Sequence, residues 1–168
     1  MAHYTEKKIR VNVSAKEIWQ ILEDFSSVEK FAATIKTSPI INGVNSGLGS
    51  KRLCTFNDGS SLVEEITDYQ EGKGYKMILS EYSLPLKSMN SEIMVKEIDA
   101  NTSELYMSSS FVVKGGPLGW LMGSLIMRPI MKGAFNKVMT GLAYYCVTGN
   151  LISDKMPSKE ELSKIVIN

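Results

Sequence analysis

Histidine is almost missing from this chain of 168 residues: the single copy is His3. A residue so near the start is expected to sit on a mobile end. With no histidine expected inside, a Ser-His-Asp or Cys-His nucleophile system is excluded in its usual form. Cysteine is scarce too. Cys54 and Cys146 stand far apart, which suits small buried hydrophobes in a reducing compartment. No Cys/His cluster has zinc-ligand spacing, so no metal is expected, and no cofactor. Excess charge of one sign is lacking as well. Nineteen Lys and Arg stand against eighteen Asp and Glu, and no basic stripe is interleaved with aromatics, so nucleic acid is not an expected partner. The opening MAHYTEKKIRVNV holds no apolar core of signal-peptide length. The uncharged run from Gly115 to Met127 ends at Arg128, short of the ~20 residues a bilayer span needs. A cytoplasmic protein without a transmembrane segment is the expectation.

The composition, 43% hydrophobic and 22% charged, is that of an ordinary globular domain. One domain is expected over residues 1–150, followed by a polar tail, 151–168, in which Ser158 and Glu161 could cap one short helix. The chain is organised around the stretch from Pro117 to Gly149. Trp120, Met127, Met131, Phe135, Val138, Leu142 and Tyr145 recur there at helical spacings, seven residues for the first pair and three or four for the rest, which predicts one long helix with an apolar stripe. Gly115-Gly116 before Pro117 marks its start. Upstream, Ile9 to Val13 alternates as a short strand. Ser14-Ala15-Lys16-Glu17 is a capping box opening a helix to about Asp24, and a second short helix follows through Val28 and Phe31.

Strands are predicted next: one beginning at Ser38-Pro39-Ile40-Ile41, then Lys51–Asn57, Ser60–Tyr69, Tyr75–Ser83, Ser88–Ile98 and Glu104–Val113. Asp58-Gly59 is a strong hairpin signal. Short turns imply antiparallel pairing. A curved sheet of about seven strands must then be covered by one helix, roughly 10 Å across. Either bulky side chains fill the trough or a hydrophobic cavity remains.

The run Val13-Ser14-Ala15-Lys16-Glu17-Ile18-Trp19 with Leu22-Glu23-Asp24-Phe25 carries a family likeness. So do Gly47-Leu48-Gly49-Ser50-Lys51-Arg52, Asp58-Gly59 with Val63-Glu64-Glu65, Pro117-Leu118-Gly119 and Arg128-Pro129. On these residues the chain resembles the START-like (SRPBCC) helix-grip superfamily of lipid-transfer domains, birch-pollen allergens and polyketide cyclase/dehydrases. The likeness is greatest to the bacterial polyketide cyclase-like branch. The resemblance implies an α+β helix-grip fold, a curved antiparallel sheet wrapped around a long C-terminal helix, with two short helices after the first strand. It also implies a small hydrophobic ligand held between sheet and helix, and it favours Arg52 and Glu64 as inward groups.

The residues themselves leave alternatives. Methionines Met77, Met94 and Met107 on strands, and Met127 and Met131 with Phe135 on the helix, suit adaptable apolar walls or simply an irregular core. An ideal two-residue hairpin at Asp58-Gly59 places Arg52 opposite Glu65, and a bulge would be needed to bring Glu64 across from it. Arg52 and Glu64 are either polar contacts for a ligand or a solvated ion pair. Tyr82 or Tyr106 could orient a ligand by its hydroxyl. Ser108 and Ser110 share the Tyr106 face, which either lines a wet cavity or faces water. Leu84-Pro85-Leu86 is a turn or a loop at the cavity mouth. The expected ligand-binding set is Arg52, Glu64, Met77, Tyr82, Tyr106, Met127, Met131 and Phe135, and no catalytic residue is assigned. Two other functions stay open. One is a cyclase or dehydratase using Glu64, Glu65 or Glu81 for proton transfer. The other is a quinone- or membrane-associated chaperone using Trp120 and Leu121. A homodimer is also left open.

Overall fold

The computed structural model describes residues 1–167. The chain runs β1 (His3–Val11), α1 (Ala15–Leu22), a 3-10 turn (Phe25–Ser27), α2 (Val28–Phe31), β2 (Ile35–Thr37), β3 (Lys51–Phe56), β4 (Ser61–Gln70) and β5 (Gly74–Ser80). There follow β6 (Leu86–Asp99), β7 (Thr102–Val113), α3 (Gly116–Met122), a π-helical turn (Gly123–Met127), α4 (Arg128–Thr148), α5 (Lys159–Ser163) and β8 (Val166–Ile167). The strands form one antiparallel sheet in the order β2-β3-β4-β5-β6-β7-β1-β8. Its curve is closed on one side by α4, which lies mainly on β1 and β7, and by α1 and α2 packed against α4.

Local chemistry explains most boundaries. Ser14 accepts from the Glu17 backbone while the Glu17 carboxylate reaches back to Ser14, so both orphan donors are satisfied at the start of α1. Ser158 and Glu161 repeat the device at α5. The long helix ends on Gly149 in the left-handed conformation. It is not one uninterrupted α-helix. The π turn inserts a wide turn, which shifts the phase of the apolar stripe. Met131, Phe135 and Leu142 face inward as expected, with Met139 buried in place of the half-buried Val138, but Trp120 is left partly exposed.

Three other boundaries depart from the sequence expectation. The strand foreseen from Ser38 is instead β2, three residues long and ending at Thr37, with only a lone bridge from Ile40 to Arg52 beyond it. Ser38 is pinned before that by its hydroxyl, which donates to the Ser26 carbonyl at 2.6 Å. β5 stops at Ser80, so Tyr82 lies in the connection to β6. The C-terminal segment is less of a tail than its polarity suggests. Ile152 and Ile165 are buried, and β8 pairs with β1 at Arg10 and Val11.

The β3–β4 hairpin sets the register that matters most. Gly59 N donates to the Phe56 carbonyl at 3.0 Å and Phe56 N to the Ser60 carbonyl at 2.8 Å, with Gly59 at φ 84°. That is a three-residue loop, a type I turn followed by a left-handed glycine, and it adds a bulge. The bulge moves the pairing by one residue, so Arg52 stands opposite Glu64 and not Glu65.

Candidate functional site

Side chains alternate across the sheet, and the register sorts them. The inward row on β3, β4 and β5 holds Arg52, Cys54, Leu62, Glu64, Ile66, Leu79, Met77 and Tyr75. Arg52 is buried there. Its Nε donates to Glu64 Oε2 at 2.6 Å, Nη2 lies 2.5 Å from the same oxygen, and Nη1 donates to the Phe25 carbonyl at 2.5 Å. The guanidinium also lies over the Phe25 ring, 4.0 Å from its centre, and 4.0 Å from Met77 Sδ. Burial, the largest single influence, would lower the Arg52 pKa, but the Glu64 carboxylate with Cys54 and Tyr75 together outweigh it and the net shift is upward. Burial, with Glu64 adding to it, pushes the neighbouring Cys54 thiol up. Tyr75, edge-on to Phe25, is raised to about 12, mainly by burial.

This cluster ties the hairpin to the 3-10 turn. Most of the guanidinium's donors are engaged within the protein, so Arg52 is not a free hand for a ligand headgroup. Glu64 is different. Its contacts fall on Oε2, and its side chain keeps 13% of its surface open. Glu65 lies on the other face, paired with Lys51 at 3.1 Å, and Glu81 is exposed. Neither is an interior carboxylate.

A second polar locus lies toward the other side of the sheet, about five strand spacings or roughly 24 Å along it. His3 is only 5% exposed and Thr5 1%. Both point inward from β1, paired with Phe111 and Ser109 of β7. His3 stacks on Phe111 with ring centres 5.2 Å apart and lies 5.9 Å from Trp120. Its Nδ1 is 3.4 Å from Ser124 Oγ in the π turn. His3 Nε2 and Thr5 Oγ1 have no hydrogen-bond partner among the described residues. Nearby, Ser109 and Ser91 face the same way, and Ser109 Oγ donates to the Asn90 carbonyl at 2.8 Å.

The expected mobility of His3 is therefore overturned: β1 is an interior strand of the sheet, and its first residue is clamped under the helix. A nucleophile system still does not follow, because the Ser124 contact is long and no carboxylate orients the ring. No signal within residues 1–5 could have shown this, since it depends on where β1 sits.

The burial of His3 has a measurable effect. Desolvation, then Arg128 and the N-terminal amine, hold its pKa below the ordinary value. The unfolded chain then binds the proton more readily than the folded one. Stability is fully present above about pH 6.5 and falls as pH drops through that value toward the lowered one. Because His3 is the only histidine, the urea midpoint should fall between about pH 6.5 and 5 in the wild type and stay level in His3→Phe. An equal fall in both would place the imidazole in water.

Other expected residues are sorted by the same register. Met77, Met107, Met131, Phe135 and Met139 join Phe111 and Leu142 in the buried core, and Met127 and Tyr82 pack against it half-buried. Tyr106 and Met94 do not line the interior. They sit opposite one another on the outer face. There the Tyr106 hydroxyl lies 2.6 Å from that of Tyr4 and donates to Glu6 at 3.1 Å. Ser108 and Ser110 share that face, and Ser108 donates to Glu92 at 2.7 Å. The polar row foreseen around Tyr106 thus faces outward, and the inward hydroxyls are one residue out of phase with it.

Surface hollows of 540 and 740 Å³ lie, respectively, where α5 and β8 meet β1 and the Asn136 and Thr140 side of α4, and around Met94 and Tyr106. Methionine and aromatic side chains occupy much of the trough that the sequence left open.

The fold is shared widely. A protein of Bacillus cereus, XoxI, superposes with a TM-score of 0.72 at 20% identity, covering 86% of this chain and 96% of that one. An aromatase/cyclase of a Streptomyces species, ZhuI, gives 0.68 at 12% over 89% and 98%. Norcoclaurine synthase of Thalictrum flavum gives 0.60 at 17% over 84% and 94%. At these identities the likeness is one of fold. No curated protein matches significantly. The family described as polyketide cyclase/dehydrase and lipid transport matches residues 1–146. With that match across nearly the whole helix-grip domain, the chain belongs to the polyketide cyclase/dehydrase and lipid transport family.

Proposed function

We propose that the protein binds a small, largely apolar molecule bearing an uncharged oxygen, held between sheet and long helix. The observation that carries this is the pair His3 Nε2 and Thr5 Oγ1, both buried and both without a partner among the described residues. Folded proteins seldom leave such groups unsatisfied, because each costs about 1–3 kcal/mol. A hydroxyl or carbonyl oxygen of a ligand would meet them. The neutral imidazole offers one donor or acceptor at Nε2, and the threonine hydroxyl can act either way. The rest of the ligand would lie against Met77, Met107, Met127, Met131 and Phe135. Methionine is unbranched and can repack around an incoming shape, which is how a filled trough could still admit a guest.

The family and the neighbouring folds fit a ligand-binding domain of this kind. A cyclase or dehydratase step would fall to Glu64, whose Oε1 is not used by the Arg52 pair. With the Arg52 guanidinium held by Glu64 and the Phe25 carbonyl, it is not free to hold an enolate, so binding is the preferred reading.

The test compares 2-naphthol with naphthalene, matched in shape and differing by one hydroxyl, using intrinsic fluorescence or native mass spectrometry. The wild type should prefer 2-naphthol by roughly 2- to 10-fold, the worth of one net hydrogen bond. The paired substitution His3→Phe with Thr5→Val should abolish that preference while naphthalene binding persists. Uptake of neither compound would dismiss the reading, and equal affinities in the wild type would dismiss the anchor.

A further inference from the structure

The outward face of the first half of the long helix has no role in ligand holding. Among residues 116–127 only Gly119 and Gly123 are buried. Lacking side chains, they let the segment lie directly on what is beneath it. A Cβ on Gly119 would come within 2.0 Å of the Lys114 carbonyl oxygen, and one on Gly123 within 2.3 Å of His3 Nε2. The large apolar side chains point the other way. Leu118 is 79% exposed, Leu125 67% and Ile130 64%, with Leu121 and Ile126 also open, while Trp120 is open on one side and lies against His3 on the other. Leu118, Leu121 and Leu125 are three and four residues apart and form one row. A contiguous apolar surface of this kind on a water-facing helix marks something that covers it.

The charges around the row decide what that is. Lys114, Arg128 and Lys132 are all exposed on the same stretch of chain, four residues before Leu118 and three and seven after Leu125, with Glu6 of β1 within reach of the Lys132 charge. From Leu105 to Ser153 there is no Asp or Glu at all. The near-neutral total therefore hides a cationic strip laid along an apolar one. A second copy seated symmetrically on this face would set those cations against themselves, since a two-fold interface meets its own surface. An anionic phospholipid surface complements both features at once. It accepts apolar side chains at the headgroup boundary and cations on its phosphates.

We infer that the face formed by α3, the π turn and the start of α4 docks on an anionic bilayer. Leu118, Leu121 and Leu125 enter the interface, and Lys114, Arg128 and Lys132 rest on lipid phosphates. The helix lies in the plane of the surface. Among the described residues no helix is long and apolar enough to cross a membrane. Docking uses the outward face only, so it stands or falls separately from any ligand inside.

Flotation of the full chain with vesicles tests this, using phosphatidylcholine alone and phosphatidylcholine with about one-third phosphatidylglycerol. The wild type should float with the anionic vesicles, weakly with the neutral ones, and less as salt is raised. The paired substitution Leu121→Glu with Leu125→Glu, at exposed positions, should cut partitioning about tenfold or more while circular dichroism is unchanged. Leu151→Glu, exposed away from this row, should float like the wild type. Failure of the wild type to float, or equal flotation of the double variant, would overturn the inference. A dimer in sedimentation that the same double variant dissolves, without vesicle binding, would reassign the face to self-association.

Discussion

Replacing Arg52 by leucine should cost the fold about 3–5 kcal/mol, enough to unfold a large fraction of a marginally stable domain. The substitution keeps most of the apolar stem but strands Glu64. Its Oε2 then loses both guanidinium contacts, at 2.6 and 2.5 Å, in a site where the side chain keeps only 13% of its surface. The Phe25 carbonyl loses its donor as well. The paired substitution Arg52→Leu with Glu64→Leu removes both charges and should recover most of the loss, since apolar replacements of buried pairs are often neutral or stabilising. Urea unfolding of the single and the paired variant decides it. A single variant within about 1 kcal/mol of the wild type would mean the pair is solvated.

Gly141→Ala should destabilise by about 3 kcal/mol, although alanine is the better helix former by about 1 kcal/mol. Gly141 is buried in α4 where it crosses α2, and a Cβ there would stand 2.1 Å from the Phe31 carbonyl oxygen and 3.6 Å from Ile152. Backbone cannot yield as a flexible side chain can, so the whole helix must shift. Gly133 in the same helix is the internal comparison. A Cβ there meets nothing within 4 Å, and Gly133→Ala should stabilise by a fraction of 1 kcal/mol to about 1 kcal/mol. Opposite signs in thermal unfolding are the expected result. Equal signs would mean that propensity, and not the crossing, governs the site.

Features governed by local chemistry were legible in the sequence. Both capping boxes, Ser14 with Glu17 and Ser158 with Glu161, stand where the spacing places them. The glycine end of α4 and the Asp58-Gly59 turn do too. What escaped depended on geometry a few degrees or one residue finer than spacing can resolve. The hairpin was visible and ideal spacing set Arg52 against Glu65; only the family likeness asked for the bulge that brings Glu64 across from it. The stripe on the long helix was visible, yet the π turn rotated Trp120 out of it. Tyr106 and Ser109 differ only in parity, and parity along a strand is fixed by the partner across from it. His3 was the hardest. Its burial comes from β7, over a hundred residues away, pairing Phe111 with it.

That distant pairing also bears on how the chain is made. β1 leaves the ribosome before the other described strands, but its neighbours in the finished sheet are β7 and β8. Closing so long a loop carries a substantial entropy cost and slows folding. A nascent chain stalled before Thr102 would hold His3, Thr5, Ile9 and Val11 as an unpaired strand with a wet apolar row, open to chaperones or to strands of other chains.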